Sequence, residues 1–392
     1  MEEIQEDEVL DEKSRYRRFY DEVVIVIGRG WRIFKRVFVT MFPFLNIALA
    51  ALFIYIAMTG NAELGDVDDI RGIAIDWRWI TVAVAMIYLM IPIEMLRMHM
   101  TMRLVRGKGG LVLCSKNFVL SRFYALVTPM YSGTLPAQLV YLNKKCLSVA
   151  DTTSVVLSNY ITGRIGFQVL TGGILLATFH LVSQLDGGAV VGTSIVVGIL
   201  FNVLFTVLML VTLFGRRIIE LLTRIIVGLG LKMRIIKDKD GVTRRARDLQ
   251  WQYRVAMMKL RRRPGIMVGS VILHMMYYFL HLGVVIPIYA SLNGWDWGVI
   301  PLLLLGIVLA EYTGTLVPLP GGTGGFELFF LTVFATIFGG PQVVMAVILW
   351  RIITYILPIA NGIPVIMWEW GISIRERRKS QDMSCINSED ML

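Results

Sequence analysis

Apolar positions in this chain gather into blocks near 37–58, 79–96, 152–181, 190–214, 265–290, 298–316 and 342–370. Each is roughly the ~20 residues that an α-helix needs to cross the hydrocarbon core of a bilayer. Two longer apolar stretches, 110–148 and 298–340, are each interrupted midway. The first break runs from Val127 through Thr128, Pro129, Ser132 and Gly133 to Pro136. The second runs from Thr315 through Pro318, Pro320, Gly321, Gly322, Gly324 and Gly325 to Glu327. Proline removes a backbone donor and glycine permits sharp reversals, so neither stretch can be one continuous helix. The pattern predicts an all-α, polytopic membrane helical bundle of about six full spans plus two broken or re-entrant hairpins, eight or more membrane helices together.

Composition strengthens this reading. The chain is 56% hydrophobic and 17% charged, with a mean hydropathy of +0.65, whereas soluble domains average about 45–50% and about 25%. A soluble enzyme is therefore excluded. Charge then sets an orientation, because Lys and Arg near helix ends stay cytoplasmic. Between Arg216 and Arg263 stand fifteen basic and four acidic residues, enough to account for the whole net charge of +10. Arg29, Arg32, Lys35 and Arg36, the group Arg97, Arg103, Arg106 and Lys108, and the tail Arg375, Arg377, Arg378 and Lys379 fall on the same side. The loop 59–77, with Glu63, Asp66, Asp68, Asp69 and Asp76 against Arg71, suits the outside. The expected organisation is a cytoplasmic polar segment 1–36, a membrane domain 37–372 carrying the basic cytoplasmic loop 215–263, and a cytoplasmic tail 373–392. The protein is expected in the cell inner membrane with both termini inside. The acidic first twelve residues hold no cleavable signal pattern.

The basic loop invites a nucleic-acid reading, but Ile218, Ile219, Leu222, Ile225 and Ile226 recur at helical spacing between its arginines. That suits either an amphipathic helix on anionic headgroups or a solvated charge run, and no nucleic-acid partner is expected. Cys114, Cys146 and Cys385 have neither disulfide-framework nor zinc spacing. His274 and His281 lie seven apart without an acid or cysteine at metal spacing, so no metal is assigned. Ser132 and Ser158 lack triad partners, and no GxxxxGK[ST] motif occurs. No cofactor is expected.

Counting crossings places the two broken hairpins on opposite sides, an inverted arrangement familiar in transporters. Irregular backbone at membrane depth is tolerated only inside protein or beside a wet cavity, so the breaks are the site candidates. Close helix packing is the plainer alternative. Gly321–Gly325 leads into an apolar helix whose N terminus would suit an anion. Charges inside apolar helices need partners or a wet path: Arg164, Glu311, Glu327 and Arg351 could bind a lipid phosphate and a cationic headgroup, or form static salt bridges, with either glutamate facing either arginine. Arg122, Lys144 and Lys145 are expected to anchor the first hairpin at the headgroups.

Pro318-Leu319-Pro320-Gly321-Gly322-Thr323-Gly324-Gly325-Phe326-Glu327 resembles the PxPGGxGxxE signature of the membrane domain of lysylphosphatidylglycerol synthases, the flippase half of the multiple peptide resistance factor. Thr128-Pro129, Ser132-Gly133, Pro136-Ala137-Gln138 and Tyr141-Leu142 are similar to the TPxxxGGxPxQxYYL segment of stand-alone members, with Thr134 in place of the second glycine and Val140 in place of the first tyrosine. The resemblance implies movement of an anionic or aminoacylated membrane phospholipid between leaflets. It also implies a substrate site containing Thr128, Pro129, Gly133, Gln138, Pro320, Gly321, Gly322, Gly324, Gly325 and Glu327, and it is compatible with a homodimer. Only a polar tail follows the last helix, so no acyltransferase domain is expected here. The other reading is a phosphatidylglycerol lysyltransferase family member, or the membrane subunit of an aminoacyl-lipid synthase, working with a separately encoded lipid-synthase partner.

Overall fold

A computed structural model describes residues 72–105, 110–129, 131–145, 147–184, 258–314, 319 and 321–369, together with isolated positions at 48, 70, 196, 199, 200, 203, 204, 207, 251, 255 and 371. The predicted helices 37–58 and 190–214, most of the loops 59–77 and 215–263, and both polar ends lie outside the described residues. The chain divides into two units after Leu52, and everything below concerns the second.

Nine helices carry the described architecture: α1 Trp77–Met102, α2 Leu111–Val127, α3 Thr134–Lys145, α4 Val149–Thr178, α5 Pro264–Gly283, α6 Val285–Asn293, α7 Ile300–Gly314 and α8 Gly325–Phe338, then α9 Gly340–Glu369. Their ends follow local chemistry. Asp76 caps α1 by accepting from Arg78 N at 3.0 Å, Ser148 caps α4 through Asp151 N at 3.2 Å, and Pro264 opens α5 where its missing N–H costs nothing. Inside α9 a π turn, Ile352–Ile356, follows Arg351. Such turns re-aim neighbouring side chains and recur at functional sites.

Four described segments are long and apolar enough to cross a membrane: Trp77–Val105, Asp151–Val182, Pro264–Asn293 and Gly340–Glu369. They coincide with four of the six blocks read as full spans. The two broken stretches are each a pair of shorter helices, α2 with α3 and α7 with α8. At 1.5 Å per residue these run only about 18–26 Å, less than the ~30 Å of hydrocarbon.

The protein is thus an all-α membrane bundle. Its core is aromatic: Phe326, Phe330, Phe334 and Phe338 repeat every fourth residue down α8, and Phe326 and Phe330 meet Trp350 of α9. Its outer face is apolar as well. Val268, Ile272, Met276 and Phe279 form an exposed stripe along α5, an arrangement suited to acyl chains and not to water. Trp79 stacks on Trp295, which meets Trp297 edge to face, beside the start of α1 and the end of α6, a grouping in keeping with interfacial tryptophans. In the interior α5 packs on α1 and α4, α6 on α1 and α9, α2 on α1 and α3, and α7 on α8 and α4.

Candidate functional site

The second break is a left-handed turn locked by an ion pair. Gly321 and Gly322 have φ of 63° and 64°, where a side chain would be strained. A Cβ on Gly322 would also stand 2.7 Å from Gly314 O, and one on Gly321 2.5 Å from the Tyr355 ring. The chain then enters α8, whose first turn carries Glu327, fully buried. One carboxylate oxygen accepts from Gly324 N at 2.7 Å and the other from Arg351 Nε at 2.7 Å. The anion expected at this helix N terminus is therefore the chain's own carboxylate. Arg351 Nη1 donates to Gly321 O at 2.9 Å, and its guanidinium lies over Phe326 and Tyr355. Arg351 Nη2 is buried with no acceptor among the described residues.

The first break is closed by Thr128. Its hydroxyl accepts from Gly133 N at 2.8 Å and donates to Tyr124 O at 2.7 Å, while Ser132 N donates to Pro129 O. Gly133 is needed there because a Cβ would meet Tyr124 O at 2.6 Å. Thr128→Val is expected to cost about 1–3 kcal/mol by stranding the buried Gly133 N–H, whereas Thr128→Ser should cost much less. Thermal unfolding of the purified protein distinguishes the two.

The two breaks meet at Tyr355. Its ring packs on Gly321 and its hydroxyl donates to Leu126 O, just ahead of the first break, at 3.4 Å. Beside this junction stand Tyr131, the one non-glycine at positive φ among the described residues, and Arg122, about one helical turn before Leu126 on α2. Arg122 lines a cleft of about 30 Å³ with Ile87, Met90, Phe118, Val119 and Asn361. Among the described residues it makes no direct hydrogen bond or ion pair. An unneutralised guanidinium in an apolar cleft is costly unless an anion or water reaches it.

Of the four intramembrane charges singled out in the sequence, only Glu327 and Arg351 pair with each other. Glu311 instead faces His281 Nε2 at 3.2 Å, and Arg164 lies over the Tyr160 ring. Gln138 is half-buried on α3, Gly325 opens α8, and Pro320 lies outside the described residues. Sequence reasoning missed a second buried centre. Arg97, read as one of the cytoplasmic charges near a helix end, is buried on α1, where it grips Glu94 through Nε and Nη2 at 2.7–2.9 Å and donates from Nη1 to Asn159 O at 2.8 Å. The same glutamate meets His274 Nδ1 at 2.8 Å. Both histidines, to which no metal was assigned, thus face a carboxylate on another helix.

A third cluster ties the end of α9 to the first hairpin. Glu369 receives Lys116 at 3.2 Å, Lys145 at 2.9 Å and the Tyr141 hydroxyl at 3.4 Å, with Lys116 also over the Trp368 ring. Lys116 and Lys145 are therefore committed to an ion pair. Among the described residues no three His, Cys, Asp or Glu are grouped to hold a metal ion.

A family model described as Lysylphosphatidylglycerol synthase TM region matches residues 44–362, most of the chain and both breaks. No curated protein and no solved structure matches.

Proposed function

The chain belongs to the family of the lysylphosphatidylglycerol synthase TM region, and from that membership we propose that it is a lipid flippase, moving an anionic or aminoacylated phospholipid between leaflets of the cell inner membrane with both termini cytoplasmic. The family places the protein in membrane-lipid biology. The finer reading is carried by one observation: among the described residues, Arg122 in its cleft meets no hydrogen-bonding anion and Arg351 Nη2 is buried without an acceptor. Guanidinium groups recognise phosphate through such N–H donors. The headgroup phosphate would engage them while acyl chains follow the apolar cleft walls Ile87, Met90, Phe118 and Val119 out to lipid. Glu327 takes no part in headgroup binding, because Gly324 and Arg351 already use its oxygens. Its role is to hold Arg351 in place.

Cells with and without the gene test this reading. A membrane-impermeant reagent that labels outer-leaflet phospholipid headgroups should find less of the transported lipid when the gene is deleted, at unchanged total lipid. Unchanged outer-leaflet labelling would argue against transport. A fall in total aminoacylated lipid would instead favour the second reading, a membrane subunit serving a separately encoded lipid synthase, which the family description also accommodates.

A further inference from the structure

We infer that a phospholipid enters the Arg122 cleft sideways from the bilayer, through the seam between α1 and α9, and that a hydrogen bond from Tyr88 to Asn361 is the latch on that entrance. The inference rests on the headgroup reading above and adds the route by which the lipid arrives. The cleft lies among three helices: Ile87, Met90 and Ile91 come from α1, Phe118, Val119 and Arg122 from α2, and Pro358 and Asn361 from α9. Three seams therefore bound it, and two of them are shut.

On one side α9 is held to the first hairpin at three levels. The Tyr355 hydroxyl donates to Leu126 O of α2 at 3.4 Å. A Cβ on Gly362 would stand 2.6 Å from Phe123 Cβ, so the two helices touch there. Glu369 binds Lys116 of α2 at 3.2 Å and Lys145 of α3 at 2.9 Å. On another side α1 and α2 follow each other in the chain and close around Met98, Met102, Cys114 and Leu120, all buried. At the third seam Tyr88 OH of α1 donates to Asn361 Oδ1 of α9 at 3.3 Å. Tyr88 is 44% exposed, and Leu89 and Ile363 beside the bond are exposed as well. The seam thus opens on the outside of the bundle, where the surface is apolar.

Both helices are weakened at the height of this bond. Pro92 lies inside α1, four residues after Tyr88, and has no N–H to give the Tyr88 carbonyl. On α9 the π turn Ile352–Ile356 is followed by Pro358, itself in the cleft wall. Helices bend at prolines and at π turns, so α1 and α9 can part here while the other two seams stay closed. Parting is required, because a cleft of about 30 Å³ has room for a water or two and not for a headgroup. Charge and polarity fix the occupant. Arg122 attracts an anion, whereas Leu89 and Ile363 at the mouth suit acyl chains, which never leave hydrocarbon on this route.

Proteoliposomes carrying the full-length double variant Tyr88→Cys, Asn361→Cys test the entrance. A short bis-methanethiosulfonate tethers the two positions after folding, and dithiothreitol cuts the tether. Headgroup-labelled phosphatidylglycerol is followed between leaflets, with the wild type treated alike to account for its own cysteines. Val268→Cys, Ile272→Cys on the exposed stripe of α5 is the tethered control. Before tethering, the seam variant is expected to move lipid about two- to tenfold faster than the wild type, the worth of one lost hydrogen bond. Tethering should bring it to the protein-free rate, dithiothreitol should restore it, and the α5 tether should change nothing. A tethered seam that still passes lipid, or an untethered variant no faster than the wild type, would overturn the inference and leave the headgroup site standing. No movement by the wild type or the untethered variant would remove both. Excess glycerol phosphate in the water is expected to leave lipid movement almost unchanged, since the seam faces hydrocarbon. Competition as complete as the effect of the tether would mean that the cleft fills from water, and would overturn the lateral route.

Discussion

Arg351→Ala is expected to lower the stability of the detergent-purified protein by about 3–5 kcal/mol, the usual consequence of leaving one member of a buried ion pair alone. Glu327 is fully buried, and among the described residues its hydrogen bonds come from Arg351 and the Gly324 amide. The substitution would also leave the Gly321 carbonyl without its donor. If the loss comes from the stranded charge, the double variant Glu327→Gln, Arg351→Met should recover most of the stability, because neither residue then carries one. It should not recover transport, since the Nη2 donor is gone. A single variant that melts with the wild type, followed by scanning calorimetry or thermal fluorescence, would mean that water reaches Glu327 and that the pair does not lock α8 to α9.

Gly322→Ala should be nearly as damaging, for backbone reasons. At φ of 64° an L side chain is strained, and its Cβ would stand 2.7 Å from the Gly314 carbonyl, a backbone atom that cannot turn aside. Left-handed strain and overpacking each cost about 1–3 kcal/mol. Since Gly314 ends α7, relief would require α7 and α8 to separate. Gly173→Ala on α4 is the control: its Cβ would meet nothing within 4 Å, and alanine is the better helix former. The expected result is a large fall in the yield of folded Gly322→Ala beside a normal yield of Gly173→Ala, read by size-exclusion profile after solubilisation.

Much of this was legible because membranes penalise disorder in sequence. Apolar blocks of spanning length have one economical use, so α1, α4, α5 and α9 could be read directly. Prolines and glycines inside apolar stretches have few uses, which exposed both breaks. That Glu327 and Arg351 needed partners followed from the cost of an intramembrane charge, although which glutamate faced which arginine stayed open until the structure paired them. What was not legible depended on distance. The partners of His274 and His281 stand on other helices, 180 and 30 residues away, and no local pattern ties them together. Arg97 follows an apolar block, where an arginine ordinarily reaches for headgroups; the signal that could have corrected this was Glu94, three residues earlier on the same helix face. Glu327, three residues after Gly324, likewise carries the spacing of a capping box. It could have shown that the helix N terminus was already served and that the anion belonged elsewhere. Tyr355, which joins the two breaks, reads in sequence as one more aromatic in an apolar helix.

The central claim is that this bundle carries phospholipid headgroups past Arg122, and proteoliposomes test it most directly. Headgroup-labelled phosphatidylglycerol and its lysyl derivative are followed from one leaflet to the other with wild-type protein, with Arg122→Gln and with no protein. The account predicts faster movement of at least one of these lipids by the wild type, and a loss of about tenfold or more in Arg122→Gln, the loss of a charge-assisted contact worth about 1.4 kcal/mol or more. Movement no faster than in protein-free vesicles, or equal in wild type and variant, would contradict it.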